Sequence, residues 1–375
     1  MNIKQTITRN LINIPGWHTN RKIVVIESDD WGSIRMPSKE AYNFLLKKGI
    51  KVDKCHYCKY DSLASDTDLS LLYEVLTSFK DINNNHPIIT ANSVLVNPDF
   101  YKIKQANYQE YYYQTFTETL KNYPHHTHSF ELWQEGINKN IFYPQYHGRE
   151  HLNVNRWLNS LRNNSKETIL AFEQNIFGLS TNIVHENRKS FMAAYDLDEI
   201  NDIKKQSAII QEGLFLFKEI LGYSPVSFIA PNYTWYSDLE KILFDNKILS
   251  IQGLHLHRDA SIGEKKQLKF RYIGQKNKSG LSSLVRNVFF EPSENTNKDW
   301  KDTCLSEIER AFRWKKPAII CSHRVNFIGE IEEKNRNNNL QLLSKLLSSI
   351  LAKWPDVEFL SSADLTKLFE DNGRQ

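Results

Sequence analysis

Residues 23–33 read IVVIESDDWGS: an apolar run, Ile23 to Ile26, passes through Glu27 and Ser28 into two adjacent carboxylates, Asp29 and Asp30, followed by Trp31 and Gly32. A short run rich in β-branched residues is the pattern of a buried strand. Neighbouring side chains on a strand point to opposite faces. Two carboxylates brought together also raise each other's pKa unless a cation lies between or beside them. Asp, Gly and Ser are ordinary turn residues as well. The stretch is therefore either a plain turn or the end of a strand that carries a metal site or an acid/base pair.

Beyond this stretch, strand-like and helical patterns alternate over most of the chain. Residues 22–28, 87–96, 141–146, 191–195, 226–230, 248–253, 269–273, 318–322 and 357–360 read as strands, with amphipathic helical runs between them. This alternation predicts a mostly parallel sheet with crossover helices, as a barrel or a doubly wound sheet. No Gly-x-Gly-x-x-Gly or P-loop follows the first strand, which tells against a nucleotide-binding fold. Residues 49–140 are the least regular part and predict an insertion or subdomain over one face of a single domain spanning 1–375.

Composition supports that size of domain. In 375 residues, 40% are hydrophobic and 12% aromatic, enough for a sizeable core. The net charge of +4 comes from 48 basic and 44 acidic residues without a strong basic run, so the footprint of a nucleic-acid binder is missing. No apolar run is long enough to span a bilayer and the N-terminus lacks a signal-peptide core, so a cytoplasmic location is expected. Ile3, Ile7, Leu11 and Ile14 fall at helical spacing; this leader is expected to pack on its own domain, with peripheral membrane association as the alternative. The four cysteines fit a reduced compartment, and Cys55 and Cys58 form a lone C-x2-C that is a weak zinc signal. His125, His126 and His128 are spaced as in a solvated loop.

His147 and His151 follow the strand-like run 141–146. On a helix their spacing would put both imidazoles on one face, where they could share a metal ion. With 12 histidines in the chain, that pair alone is weak. Its weight comes from other polar groups at predicted strand ends: Pro231, Tyr233 and Trp235 after one strand, and His323 after another. The C-terminal ends of barrel strands are where catalytic groups gather.

The order of motifs, ESDD, HGREH, APNY and CSH, resembles the polysaccharide deacetylase superfamily, the NodB-like or family-four carbohydrate esterases. The resemblance lies in these strand-end motifs and not in the sequence between them. It implies a distorted (β/α) barrel, here with a large insertion over one face, that removes acetyl groups from a saccharide substrate. It further implies a divalent metal held by Asp30, His147 and His151, zinc ahead of cobalt, nickel or manganese. Asp29 would be the general base and His323 the general acid, while Tyr233, Trp235 and Arg149 would contribute to the substrate wall and oxyanion site. In this scheme Asp30 is neutralised by the ion, so the two carboxylates have different partners.

Three departures qualify the match. Ala230 stands where the family has an Arg that orients the base, Cys321 where it has a hydrophobic residue, and the first two motifs are unusually far apart. Arg149, Arg286 and Arg324 are candidate replacements for the missing guanidinium. His255, His257, Arg258, Asp259, Asn287 and Glu291 follow further strand-like runs and are weaker candidates for the substrate cleft, as Trp31 and Trp157 are for a sugar-facing ring. The alternatives to a deacetylase are a carbohydrate-binding member without turnover and a different metal-dependent amidohydrolase.

Overall fold

The computed structural model describes residues 10–259 and 268–372. Nine strands form its main sheet: β1 (Lys22–Trp31), β2 (Ile89–Val94), β3 (Phe142–Gly148), β4 (Ser227–Phe228), β5 (Ser250–Gly253), β6 (Ser282–Val285), β7 (Val288–Phe289), β8 (Ala318–His323) and β9 (Val357–Phe359). All pair in parallel, in the order β6-β5-β4-β3-β2-β1-β8-β7, with β9 beside the start of β1. The two edges, β6 and β7, are separated in the chain by Arg286 and Asn287 alone. The Arg286 N–H donates to the Gly253 carbonyl and the Asn287 N–H to that of Ile319, so one segment joins the edges of the curled sheet. Of the two forms that the alternation allowed, a barrel or a doubly wound sheet, this is the barrel.

Helices on the crossovers explain why the strands are apolar on both sides, as a covered parallel sheet requires. Asp66–Thr77, Ser129–Asn138, Asp202–Leu221, Trp300–Arg313 and Glu333–Lys353 are the main ones. Alternation along β1 divides its residues. Val24 and Ile26 join the large core that includes the helix Asp66–Thr77. Ile23 and Val25 pack with Leu284, Ile319, Leu365 and Phe369, the last two from the C-terminal helix Ser362–Asn372. Two steps further on that same side come Glu27 and then Asp29.

Several expectations change. Residues 191–195 form bends and not a strand, while Leu268–Phe270 belongs to a separate three-stranded sheet with Leu256–Asp259 and Thr234–Trp235. The segment 282–289, which interrupts its apolar residues with Ser282, Ser283, Arg286 and Asn287, supplies two strands that the periodicity hid. Within 49–140, the helices Asp66–Thr77 and Ser129–Asn138 and strand β2 are barrel wall; the remaining elaboration includes the short helix His56–Tyr60 and the hairpin of Val96–Pro98 with Tyr113–Thr115.

Ile3 and Ile7 lie outside the described residues. Leu11 and Ile14 are exposed, but the neighbouring residues are tied to the domain: Asn10 accepts from Trp314 Nε1, Lys316 Nζ donates to the Pro15 and Trp17 carbonyls, and Trp17 packs edge-on against Phe369. Among the described residues no helix is long and apolar enough to cross a membrane.

Candidate active site

The end of β1 is irregular. Asp29 sits opposite His323 of β8, but the register against β2 slips between Ser28 and Trp31, and Asp30 adopts φ 75°. A left-handed residue in a bulge re-aims its side chain, so both carboxylates reach one cavity of about 700 Å³ instead of opposite faces. Gly32 follows at φ 82°, where a Cβ would lie 2.5 Å from the Val94 carbonyl oxygen. That close approach restricts the position to glycine.

Asp30 Oδ1 lies 3.1 Å from His151 Nε2 and 3.4 Å from His147 Nε2, and its Oδ2 accepts from Arg35 Nη2 at 2.9 Å. His147 is the penultimate residue of β3, with Nδ1 2.9 Å from the Ile229 carbonyl oxygen. A carbonyl only accepts, so Nδ1 carries the proton and Nε2 presents a bare lone pair. That Nε2 is buried without a hydrogen-bond partner, as is Nδ1 of His151. The two histidines do not share a helix: after Gly148, at φ 121°, His151 arrives in the turn before the helix Val154–Arg162. Burial pushes His151 down to about 4, leaving it neutral. Burial opposes ionisation of Asp30, but the Arg35 guanidinium beside it outweighs burial and holds the carboxyl well below its usual range. One carboxylate and two imidazoles, with donor atoms within 4.8 Å of one another and a lone pair otherwise unused, fit a divalent cation.

Asp29 has other partners. Arg286 grips it with both terminal nitrogens, at 2.6 and 2.7 Å, and Asn92 Nδ2 donates to Oδ1 at 2.8 Å. The same guanidinium bonds Glu27 through Nε at 2.6 Å and the Tyr233 hydroxyl at 2.7 Å. Burial would raise the Asp29 carboxyl, but Arg286 outweighs it and brings the group down to about 2. Opposite, His323 Nε2 lies 3.6 Å from Asp29 Oδ2 while its Nδ1 meets Glu291 Oε1 at 2.6 Å. Burial would lower His323, yet Glu291 raises it to about 9, so the ring is an imidazolium at neutral pH. Asn326 Nδ2 fixes the other Glu291 oxygen at 2.8 Å.

Of the three candidate arginines, it is Arg286, at the join between β6 and β7, that reaches Asp29. Arg324 instead forms a fully buried pair with Asp61, and Arg149 pairs with Glu150 and Glu212. Arg149 therefore does not line the cavity. Trp235 does not either: it stacks on His257 with ring centroids 3.6 Å apart and donates to Glu240. Tyr233 lines the cavity, but its N–H donates to the Ala230 carbonyl within the turn, away from an oxyanion role. Trp31 and Trp157 are core residues, and His255 bonds the Arg271 carbonyl away from the cleft. His125, His126 and His128 turn to separate partners, and Cys55 and Cys58 belong to no three-ligand cluster among the described residues.

The sequence reading missed Arg35, Tyr57 and the segment that forms the cavity's outer wall, 181–197, including Thr181, Arg188 and Ser190. From the expected cover at 49–140, Tyr57 alone reaches the cavity, with its ring edge-on to His323. Tyr57 lies inside CHYC, remote in sequence from every strand-end motif, and carries no local signal of a place in the site.

No protein-family profile matches the sequence, and no curated protein does. Among solved structures, a protein of Parabacteroides distasonis provisionally assigned as a glycoside hydrolase/deacetylase aligns over 96% of this chain and 73% of its own, at 9% identity and TM-score 0.50. The chain has the fold of the deacetylase-type barrels. A provisionally assigned polysaccharide deacetylase of Mycobacterium smegmatis aligns over 96% and 94%, at 11% identity and TM-score 0.43. The PuuE allantoinase aligns over 94% and 93%, at 9% identity and TM-score 0.45. At such identities the likeness concerns fold alone, and the chemistry has to come from the site.

Proposed function

We propose that the protein is a metal-dependent hydrolase that removes an acetyl group from a saccharide. The observation that carries this reading is the division of labour between Asp30, turned toward two imidazoles with an unused lone pair, and Asp29, clamped separately by Arg286 and faced by a protonated histidine. A divalent ion held by Asp30, His147 and His151 would polarise the acyl carbonyl and lower the pKa of a water molecule.

Asp29 is the group in place to take the water's proton. Arg286 keeps it ionised and fixes its orientation, and Glu27 and Asn92 fix the ends of that network. His323, charged by Glu291, donates from Nε2 to the leaving amine or alkoxide. Tyr233 braces Arg286 through its hydroxyl. Thr181, Ser190 and Asn232 at the wall supply the hydroxyl and amide groups that a sugar ring requires. The case for a binder without turnover rested on Ala230; a guanidinium reaching Asp29 from the β6–β7 join supports turnover.

The test is acetate release from a panel of N- and O-acetylated oligosaccharides, with chelator and after reloading with zinc, cobalt, nickel or manganese. Release that is lost to chelator and restored by one of these ions is expected. Absence of release with every ion and saccharide, or release indifferent to chelator, would sink the reading.

A further inference from the structure

A second groove, of about 550 Å³, adjoins the catalytic cavity. The two share their separating wall: Tyr57 lines the cavity while Lys59 and Tyr60, on the same short helix, line the groove. Likewise Glu291 holds His323, and the next residue, Pro292, lines the groove.

Four lysines surround it, Lys59, Lys298, Lys334 and Lys345, against one acid, Glu332. None of the four is ion-paired among the described residues, whereas Lys353, on the helix that carries Lys334 and Lys345, meets Glu309 at 2.9 Å. A protein whose whole net charge is +4 thus gathers four unpaired cations at one groove. Their arrangement is ordered. Lys334, Asn338, Gln341 and Lys345 are exposed along one face of the helix Glu333–Lys353, at the spacing that keeps residues in line. At about 1.5 Å per residue the two lysines stand about 16 Å apart, the span of an extended ligand and not of a single anion.

The aromatic residues distinguish among polyanions. Trp300 is buried and Lys298 Nζ lies 3.4 Å above its ring; Lys59 Nζ lies 4.7 Å above Tyr60. Both rings hold a cation, so neither offers the open stacking face on which single-stranded nucleic acid depends. No arginine lines the groove for bidentate phosphate contacts. Carboxylates carried on a hydroxyl-rich chain match lysines interspersed with amides.

We infer that this groove is a subsite for an acidic glycan, holding the carboxylates of a chain whose acylated sugar enters the neighbouring cavity. The inference rests on the saccharide reading of that cavity, and its test does not use turnover. Titration calorimetry of the full chain with hexagalacturonate should show binding that weakens as salt screens the exposed charges. The methyl-esterified hexamer should not bind. Lys334→Gln with Lys345→Gln, both on an exposed helical face, should weaken binding about tenfold, and Lys353→Gln, on the same helix but outside the groove and paired with Glu309, should bind as wild type does. Undiminished affinity in the double variant, or equal binding of the ester, overturns the subsite. Tighter binding of a single-stranded oligonucleotide of equal charge overturns the glycan assignment. A protein that binds the uronate through these lysines but releases no acetate keeps the groove and loses the hydrolase reading.

Discussion

Asp29 and Asp30 are adjacent in the chain and equally buried, yet the corners around them are built on opposite principles. Around Asp29 polar atoms are mutually satisfied: Arg286 spans Asp29, Glu27 and Tyr233, and Asn92 exchanges amide hydrogen bonds with Gln252. Around Asp30 a ring nitrogen aimed at the carboxylate has no hydrogen bond. Since buried polar groups are nearly always paired, the difference supports the proposal that the closed corner is a preset proton acceptor and the open one a place for a metal ion. The lesson is that two like residues in one cavity are told apart by what their neighbours leave unsatisfied.

The largest effect is expected from opening the closed corner. Arg286→Met leaves Glu27 and Asp29 buried without their cation, and breaking a buried pair costs about 3–5 kcal/mol. Urea unfolding should register that loss; a change below about 1 kcal/mol would mean that charge pairing does not organise this corner.

Next in size is a crossed pair of variants. Asp29→Asn should cut turnover by about 10²–10⁴-fold while metal content, read by plasma emission spectrometry, stays the same. His151→Ala should lose the metal and keep the fold. Equal metal content in both variants would erase the distinction between the corners.

A smaller effect is a shift in pH dependence. His323 sits at about 9, so the acid form is lost, and activity falls, as pH rises through that value. Glu291→Gln removes the charge that raises it, and the alkaline limb should move toward the ordinary histidine value. The same linkage applies to stability. The raised pKa of His323 contributes fully below its ordinary value of 6.5 and is lost as pH rises through about 9. For Asp29 the sign reverses, with the contribution present above 3.8 and lost as pH falls through about 2. An alkaline limb that stays put in Glu291→Gln would remove His323 as the acid.

The smallest effect should come from Trp235→Phe, outside both corners. It disturbs the stack on His257, worth about 0.5–1.5 kcal/mol, and should leave kcat and KM unchanged. A raised KM would return Trp235 to the substrate wall.

The alternating α/β architecture was legible in the chain alone, because apolar periodicity and strand length are local properties that survive without tertiary context. Asp29, Asp30, His147, His151 and His323 were also legible as a group, because their motifs lie at or just past strand ends, which a barrel delivers to one face, and all five line one cavity. Which arginine clamps Asp29 became visible in the folded chain alone. Arg286 lies 257 residues away in the chain, on a segment whose polar residues masked its strand character. Arg149 and Trp235 stood beside the motifs but turned to Glu150 and His257, since adjacency in a strand-end turn does not set side-chain direction. The outer wall likewise came from 181–197 and not mainly from 49–140, because which loop covers a barrel face depends on where the neighbouring helices leave room. The final arbiter at the opening pair was one backbone angle, φ 75° at Asp30, which the barrel imposes through the slipped register against β2 and which turns two opposed carboxylates into one site.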